Sequence, residues 1–170
     1  TTPGCTPIGP AADTASSVLK DELGSNAISS LRLGYTRDTR DNVFAAKEGY
    51  FFNSAVEGAG SFLGGDKDFW KWTSTGSVYF VPFIENQVLE FRLTAGLADE
   101  FGSSKAVPIF ERFFAGGSDS IRGYKERRVG PLDPVTRDPI GGEAIAVFNV
   151  EYTFPVLDFL KAATFVDAGN

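Results

Sequence analysis

The sequence predicts an all-β protein, and more narrowly an antiparallel transmembrane β-barrel segment. Apolar and polar residues alternate in about six segments, most of them about ten residues long, close to the ~9–11 residues that cross a bilayer at a tilt. Aromatic residues gather near the segment ends, as in an interfacial girdle: Tyr35, Tyr50, Trp70, Trp72, Phe80, Phe101, Tyr152 and Phe154. The alternative is a soluble antiparallel β-sandwich with one face in water.

Composition excludes several kinds of chemistry. The 170 residues are 42% hydrophobic and 22% charged, enough to bury a core, and they contain no histidine. That rules out a Ser-His-Asp triad and histidine metal ligands, while Cys5, the single cysteine, rules out an internal disulfide. The net charge of −6 argues against nucleic acid as a partner. We therefore expect no enzyme: no catalytic residue, no cofactor and no metal site.

The N-terminal part is predicted as a loop followed by two strands. Residues 1–27 are rich in Pro, Gly and Ala and are expected to be a partly disordered lead-in, with a helical turn or two in Ala15–Leu23. Alternation then predicts strands over Ser30–Thr36 and Tyr50–Phe62. A polar turn, Asp38–Gly49, joins them.

The middle of the chain contains two more strands. The first, Trp70–Phe80, places tryptophans opposite lysine and threonines, and the second, Val88–Leu97, places leucines opposite charged residues. A glycine-rich turn at Leu63–Asp68 precedes them, and a short connection, Pro82–Asn86, separates them.

A loop of 41 residues, Gly102–Gly142, interrupts the pattern before the last two strands. Those strands are predicted over Glu143–Phe154 and Leu160–Asp167, with a short turn at Pro155–Phe159. A connection this long within a compact domain is usually functional or disordered. It contains seven basic and five acidic residues, so its net charge of +2 would complement an acid-lined lumen.

A motif within the long loop resembles the long-loop signature of the BamA superfamily of outer-membrane assembly and secretion proteins. Its residues are Gly116, Gly117, Ser118, Ile121, Arg122, Gly123 and Tyr124. A second stretch resembles the turn between barrel strands in that family, through Arg37, Asp38, Arg40, Asp41 and Gly49. Asn149–Pro155 and Phe165–Asn170 resemble the strands after the loop.

The resemblance implies that residues 28–170 are part of a barrel of about sixteen strands. It also implies that POTRA domains come before this barrel in a longer protein. It implies a long loop that emerges on the extracellular side and folds inward. The implied function is assembly and insertion of outer-membrane proteins in a Gram-negative-type bacterium. Expected partners are membrane lipids, unfolded outer-membrane proteins and accessory lipoproteins. The alternative within the superfamily is a two-partner secretion pore.

Arg122 is the candidate functional side chain of the motif. The neighbouring glycines permit the backbone angles and close approaches that a loop folded into a lumen needs. A guanidinium held there requires anionic partners, and the alternation puts Glu151 and Asp167 on the polar side of neighbouring strands. We expect Arg122 to pair with one or both, as the resemblance also implies. The competing interpretation is a solvated loop arginine.

Overall fold

The computed structural model describes residues 16–20, 22–24, 26–157 and 159–170. A single helical turn, α1 (Ser17–Lys20), lies inside the stretch where a helical turn was expected. Most of the predicted lead-in, including Cys5 and Ala15, lies outside the described residues. Among the residues described, no helix is long and apolar enough to cross a membrane.

Six strands form one antiparallel sheet in which each strand pairs with its neighbour in sequence. Their bounds are β1 (Ser30–Asp38), β2 (Gly49–Ala59), β3 (Phe69–Phe80), β4 (Val88–Glu100), β5 (Ala144–Leu157) and β6 (Leu160–Gly169). The sheet is not closed on itself, since β1 and β6 each pair with a single strand. The all-β expectation is confirmed, and the β-sandwich alternative is wrong because the described strands form one sheet rather than two packed ones.

The strand register gives the sheet one polar and one apolar face. We call the face that the long loop covers the inner face. Residues opposite one another share a face, so Glu151, opposite Glu90 and Phe165, lies on the inner face. The other, outer face is apolar and exposed: Leu33 is 79% exposed and Phe148 is 43% exposed. Apolar exposure of this extent is typical of an interaction surface, here one suited to lipid.

The predicted end of the second strand is wrong. β2 ends at Ala59, and Ser61–Leu63 forms a turn of 3₁₀ helix instead of continuing the strand to Phe62. Gly60 turns the chain with a φ of 82°. Asp68 then accepts a hydrogen bond of 2.7 Å from the Ser61 amide, which fixes the turn.

The predicted turn at Pro155–Phe159 is also wrong, because the hairpin is tighter. β5 continues to Leu157 and β6 begins at Leu160. The register shifts between Pro155 and Leu157, as in a β-bulge. Val156 has no partner in this register, and a proline within a strand is typically found at or beside such a bulge.

The long loop is folded and covers the inner face. Isolated antiparallel bridges join Phe113 to Gly142, Ala115 to Val129, and Leu132 to Pro139. Two small apolar clusters lie between loop and sheet. One contains Ala59, Phe69, Ala98 and Val107, and the other contains Ala115, Ile121 and Val147. Val107, Ala115 and Ile121 of the loop thus pack against the apolar residues of a largely polar inner face.

Candidate functional site

Arg122 of the long loop donates three hydrogen bonds to Asp167 of the sheet. Asp167 Oδ2 accepts hydrogen bonds from the backbone amide of Arg122 at 2.9 Å and from its Nε at 2.7 Å. Asp167 Oδ1 accepts a third, from a terminal guanidinium nitrogen, at 2.7 Å. The Asp167 side chain is only 2% exposed, so these bonds largely replace water around its carboxylate. The bidentate fork is the geometry that an arginine–carboxylate pair favours.

Glu151 and Phe165 complete the surroundings of the guanidinium. The other terminal nitrogen of Arg122 donates to Glu151 Oε2 at 2.5 Å. The guanidinium carbon lies 3.6 Å from the centroid of the Phe165 ring, in cation–π contact. We call Arg122 together with Asp167, Glu151 and Phe165 the arginine anchor. Both carboxylates named from the sequence therefore contact Arg122, and they come from adjacent strands, β5 and β6.

Asn149 links the anchor to the loop backbone. Its Nδ2 donates to Asp167 Oδ1 at 2.8 Å and to the Ser120 carbonyl at 2.7 Å. Asn149 lies directly opposite Asp167 in the pairing of β5 with β6, so the sheet register places the two side chains together. The amide thus orients the carboxylate and holds the residue that precedes the buried Ile121.

Two glycines let the loop fold tightly before Arg122. Gly116 and Gly117 have φ values of 101° and 100°, which favour glycine. A Cβ added at Gly116 would lie 2.5 Å from the Lys125 carbonyl oxygen, and one at Gly117 would collide with the Glu126 carboxylate. Gly123 also has a positive φ, of 88°, but a Cβ there would meet open space. Gly116 is thus required for packing as well as for conformation, because its neighbour is backbone, whereas the exposed Glu126 side chain can move away from a Cβ at Gly117.

The remaining motif residues divide between core and surface. Ile121 is 4% exposed and packs against Ala115 and Val147, which seats the loop beside the anchor. Ser118 is exposed and its hydroxyl donates to the neighbouring Asp119 at 3.2 Å. Tyr124 is 63% exposed, so the structure does not bring its ring to the sheet.

The groups around the anchor favour the charged form of the Arg122 guanidinium. The hydrogen bonds that Arg122 donates to Asp167, and to a lesser extent to Glu151, outweigh desolvation and raise the pKa of Arg122 above its ordinary value. A polar cavity of about 220 Å³ adjoins the anchor and is lined by Glu90, Arg92 and Asn149 among others. Glu90 there accepts from Arg92 at 2.6 Å and from the Tyr79 hydroxyl at 3.1 Å. The inner face thus presents paired charges beside the loop.

The turn motif lies at the opposite end of the strands and is a structural unit. Arg40 binds Asp38 through Nε at 2.9 Å and a terminal nitrogen at 2.7 Å, which raises the pKa of Arg40. Asp41 accepts from the Lys47 and Glu48 amides, and these bonds lower its pKa.

The other two residues of this motif pack against the same turn. Arg37 lies 5.6 Å from the centroid of the Tyr50 ring. Gly49 has a φ of 99°, and a Cβ added there would lie 2.9 Å from the Arg40 Cα. The motif therefore shapes a connection, remote from Arg122 in sequence and on the other rim of the sheet.

A protein-family comparison matches the Omp85 superfamily domain over residues 8–170. The chain belongs to the Omp85 superfamily. The resemblance to the BamA superfamily is also confirmed by BamA of Nitratidesulfovibrio vulgaris, an outer membrane protein assembly factor, which is 39% identical over 140 residues and 82% of this chain. A SAM50-like protein of Schizosaccharomyces pombe is 35% identical over 144 residues and 84% of this chain.

The Omp85 fold is also seen in a solved structure. BamA of Haemophilus ducreyi lacking POTRA domains 1–3 superposes with a TM-score of 0.72, at 23% identity, over 82% of this chain and 29% of that one. The chain spans 17% of the Nitratidesulfovibrio protein and 30% of the Schizosaccharomyces protein. The name of the Nitratidesulfovibrio relative describes an assembly factor, and the six-stranded sheet corresponds to part of the fold of the Haemophilus protein.

Two contributors to the arginine anchor were not singled out from the sequence. Phe165 lies in a stretch that resembles the family and Asn149 lies on the polar side of its strand, but the sequence assigns neither of them a contact with the loop. Both lie on the inner face by the alternation, which was the available signal. Which inner-face residue the loop reaches depends on the path of the loop.

Proposed function

We propose that this chain is the loop-bearing barrel segment of an outer-membrane protein assembly factor, and that the arginine anchor holds the long loop in the lumen during assembly. The observation that supports this most directly is the Arg122–Asp167 pair, in which one loop residue donates three hydrogen bonds to one sheet carboxylate. Homology to BamA and SAM50-like proteins supports the assembly role.

The mechanism is positional, with no covalent step. Assembly of a barrel in a membrane requires that strands enter lipid with their backbone groups paired. A loop fixed to β5 and β6 through Arg122 would keep these strands and the lumen in a defined arrangement while a substrate strand inserts. Gly116 and Gly117 permit the fold, and Ile121 seats it.

The proposed partners follow from the outer face of the sheet and from the names of the relatives. The outer face, with exposed residues such as Leu33 and Phe148, suits membrane lipid. Unfolded outer-membrane proteins are the proposed substrates, and accessory lipoproteins are the proposed partner subunits in assembly. We propose the outer membrane of a Gram-negative-type bacterium as the location, although the relatives include proteins of yeast and mouse as well as bacteria.

Charge reversal in the full-length protein tests the proposal. We expect Arg122→Glu to reduce the rate at which proteoliposomes containing the protein insert an unfolded outer-membrane protein. The matched control is Lys125→Glu, an equal charge change three residues away at an exposed position. Wild-type insertion by the Arg122→Glu protein, at wild-type folded yield, would contradict the proposal.

A compensating change sharpens the test. In Arg122→Glu combined with Asp167→Arg, opposite charges again face one another between loop and β6, so we expect partial recovery of insertion. Arg122→Glu combined with Asp99→Arg is the control, since it restores the same net charge but Asp99 lies on β4 opposite Trp70, outside the anchor. Equal recovery in both double variants would show that net charge, not the pair, matters.

A further inference from the structure

Phe113 of the long loop lies directly against a glycine of the sheet. A Cβ added to Gly96 on β4 would lie 2.6 Å from both Cε1 and Cζ of the Phe113 ring, and 3.1 Å from Ile145 Cγ2. Real Cβ atoms do not approach this closely, so the ring occupies space that any other residue at position 96 would fill. Gly96 lies on the inner face, opposite Ile145 of β5 and Thr73 of β3.

A lysine and a glutamate border this contact. Lys71 Nζ on β3 lies 5.1 Å from the centroid of the Phe113 ring, within cation–π range. The same ammonium group lies 3.2 Å from Glu111 Oε2, two residues before Phe113 in the loop. The Lys71 side chain is 17% exposed, which strengthens both interactions relative to a fully solvated pair.

Phe113 also joins the two limbs of the loop. It exchanges two backbone hydrogen bonds with Gly142, each of 2.8 Å, so the outgoing and returning chains pair at this point. Arg112 adds bonds from Nε to the Val107 carbonyl at 2.8 Å and from a terminal nitrogen to the Ile140 carbonyl at 3.4 Å. We call residues 111–115 and 139–142 the loop neck. A contact that fixes Phe113 therefore fixes both limbs.

We propose that Phe113, Gly96 and Lys71 form a second anchor, the phenylalanine anchor, which positions the loop neck independently of Arg122. The two anchors share no residue: this one uses β3 and β4, whereas the arginine anchor uses β5 and β6. We call residues 116–124 the loop tip. Interactions without shared partners tend to contribute additively, so release of Arg122 frees the loop tip and leaves the neck docked. Only the relevance of this docking to assembly depends on the proposed function.

The native Lys71–Glu111 pair provides a direct readout of neck docking. A water-soluble carbodiimide joins a carboxylate and an amine that touch, and peptide mass spectrometry of the folded full-length protein measures the yield of that cross-link. Tip docking is read separately from the labelling rate of a thiol at the buried position 121, using Ile121→Cys in a Cys5→Ser background. Neither measurement depends on assembly activity, so failure of the proposed function leaves both readable.

Gly96→Ala tests the proposal, with Gly34→Ala as its matched control. Gly34 is also an inward-facing strand glycine, but its nearest neighbour to an added Cβ is Ala55 Cβ at 3.7 Å, an ordinary contact. We expect Gly96→Ala to lower the ratio of docked to undocked neck roughly fivefold, which corresponds to about 1 kcal/mol, and the cross-link yield to fall with the docked fraction. We expect Gly34→Ala to leave the yield unchanged. An unchanged yield in Gly96→Ala would overturn the proposal.

Two further variants keep the test decisive. Phe113→Leu removes the ring atoms that an added Cβ would meet, so we expect it to lower the yield alone but to restore part of it when combined with Gly96→Ala. It also replaces Gly96→Ala as the test should that variant not fold. Arg122→Ala should accelerate labelling at position 121 and preserve the Lys71–Glu111 cross-link. Loss of the cross-link in Arg122→Ala would show that the neck has no anchor of its own.

Discussion

Arg122 donates to Asp167 from its backbone amide, from Nε and from a terminal nitrogen, at 2.9, 2.7 and 2.7 Å. The backbone bond is informative because it fixes the position of the loop chain as well as the side chain. A loop arginine that merely neutralised a wall carboxylate would not need it. The arrangement explains how a 41-residue connection keeps one path across the sheet.

Asp167→Asn should loosen the loop tip more than Glu151→Gln. Asp167 is 2% exposed and accepts three bonds from Arg122, whereas Glu151 is 33% exposed and accepts one. Breaking a buried pair costs about 3–5 kcal/mol, and an exposed pair is worth about 1 kcal/mol or less. The measurement is the labelling rate of Ile121→Cys in the Cys5→Ser background. Equal acceleration by both variants would contradict the assignment of Asp167 as the main partner.

Gly116→Ala should destabilise the loop more than Gly123→Ala. Both positions have positive φ, which costs a non-glycine residue about 1–2 kcal/mol. Only at Gly116 does the added Cβ also approach a backbone carbonyl, that of Lys125. Limited proteolysis of the folded protein at the exposed basic residues of the loop measures the difference. Comparable cleavage rates in the two variants would contradict the prediction. They would show that positive φ accounts for the whole effect and that the contact with the Lys125 carbonyl adds nothing.

Phe165→Leu should weaken the arginine anchor without abolishing it. The substitution removes a ring whose centroid lies 3.6 Å from the guanidinium carbon, an interaction of about 0.5–2 kcal/mol. The hydrogen bonds to Asp167 remain. We expect an intermediate labelling rate at position 121, between the wild type and Asp167→Asn. A rate matching Asp167→Asn would mean that the ring, rather than the carboxylate, dominates.

Acid should weaken the turn between β1 and β2 at Asp41. The side chains of Asp41 and Asn42 both accept hydrogen bonds from backbone amides of this turn. Backbone amides of Lys47 and Glu48 donate to Asp41, which lowers the pKa of its carboxyl. A depressed folded-state pKa contributes stability that is complete above the unfolded pKa, about 3.9, and is lost as the pH falls through the folded value. Hydrogen-exchange protection of these two amides should therefore persist to about pH 4 and fall below it.

The same turn contains an internal control for this pH dependence. Asn42 Oδ1 accepts from the Phe44 and Ala45 amides at 2.9 and 3.3 Å, and a carboxamide does not titrate in this range. Protection of Phe44 and Ala45 should stay constant while that of Lys47 and Glu48 declines. Parallel loss at all four amides would indicate that the whole hairpin opens and that Asp41 is not responsible.

The strands were predictable because alternation is a local signal, and the two carboxylate partners of Arg122 were predictable from that alternation together with the resemblance of the loop motif. Alternation sets which side chains share a face, and parity alone puts Glu151 and Asp167 on the face of the loop. The contact between Phe113 and Gly96 has no such signal, because the sequence around a strand glycine does not indicate whether an aromatic ring of a distant loop covers it. The end of β2 depends on Asp68, seven residues away from the Ser61 amide that it binds.

A double-mutant cycle between Arg122 and Asp167 tests the central claim most directly. Arg122→Ala, Asp167→Ala and the double variant are compared with the wild type in one full-length protein, by thiol labelling at position 121 and by the rate of outer-membrane protein insertion. If the pair anchors the loop, the double variant should be little worse than the more damaging single variant in both assays. Additive effects of the two substitutions would contradict it.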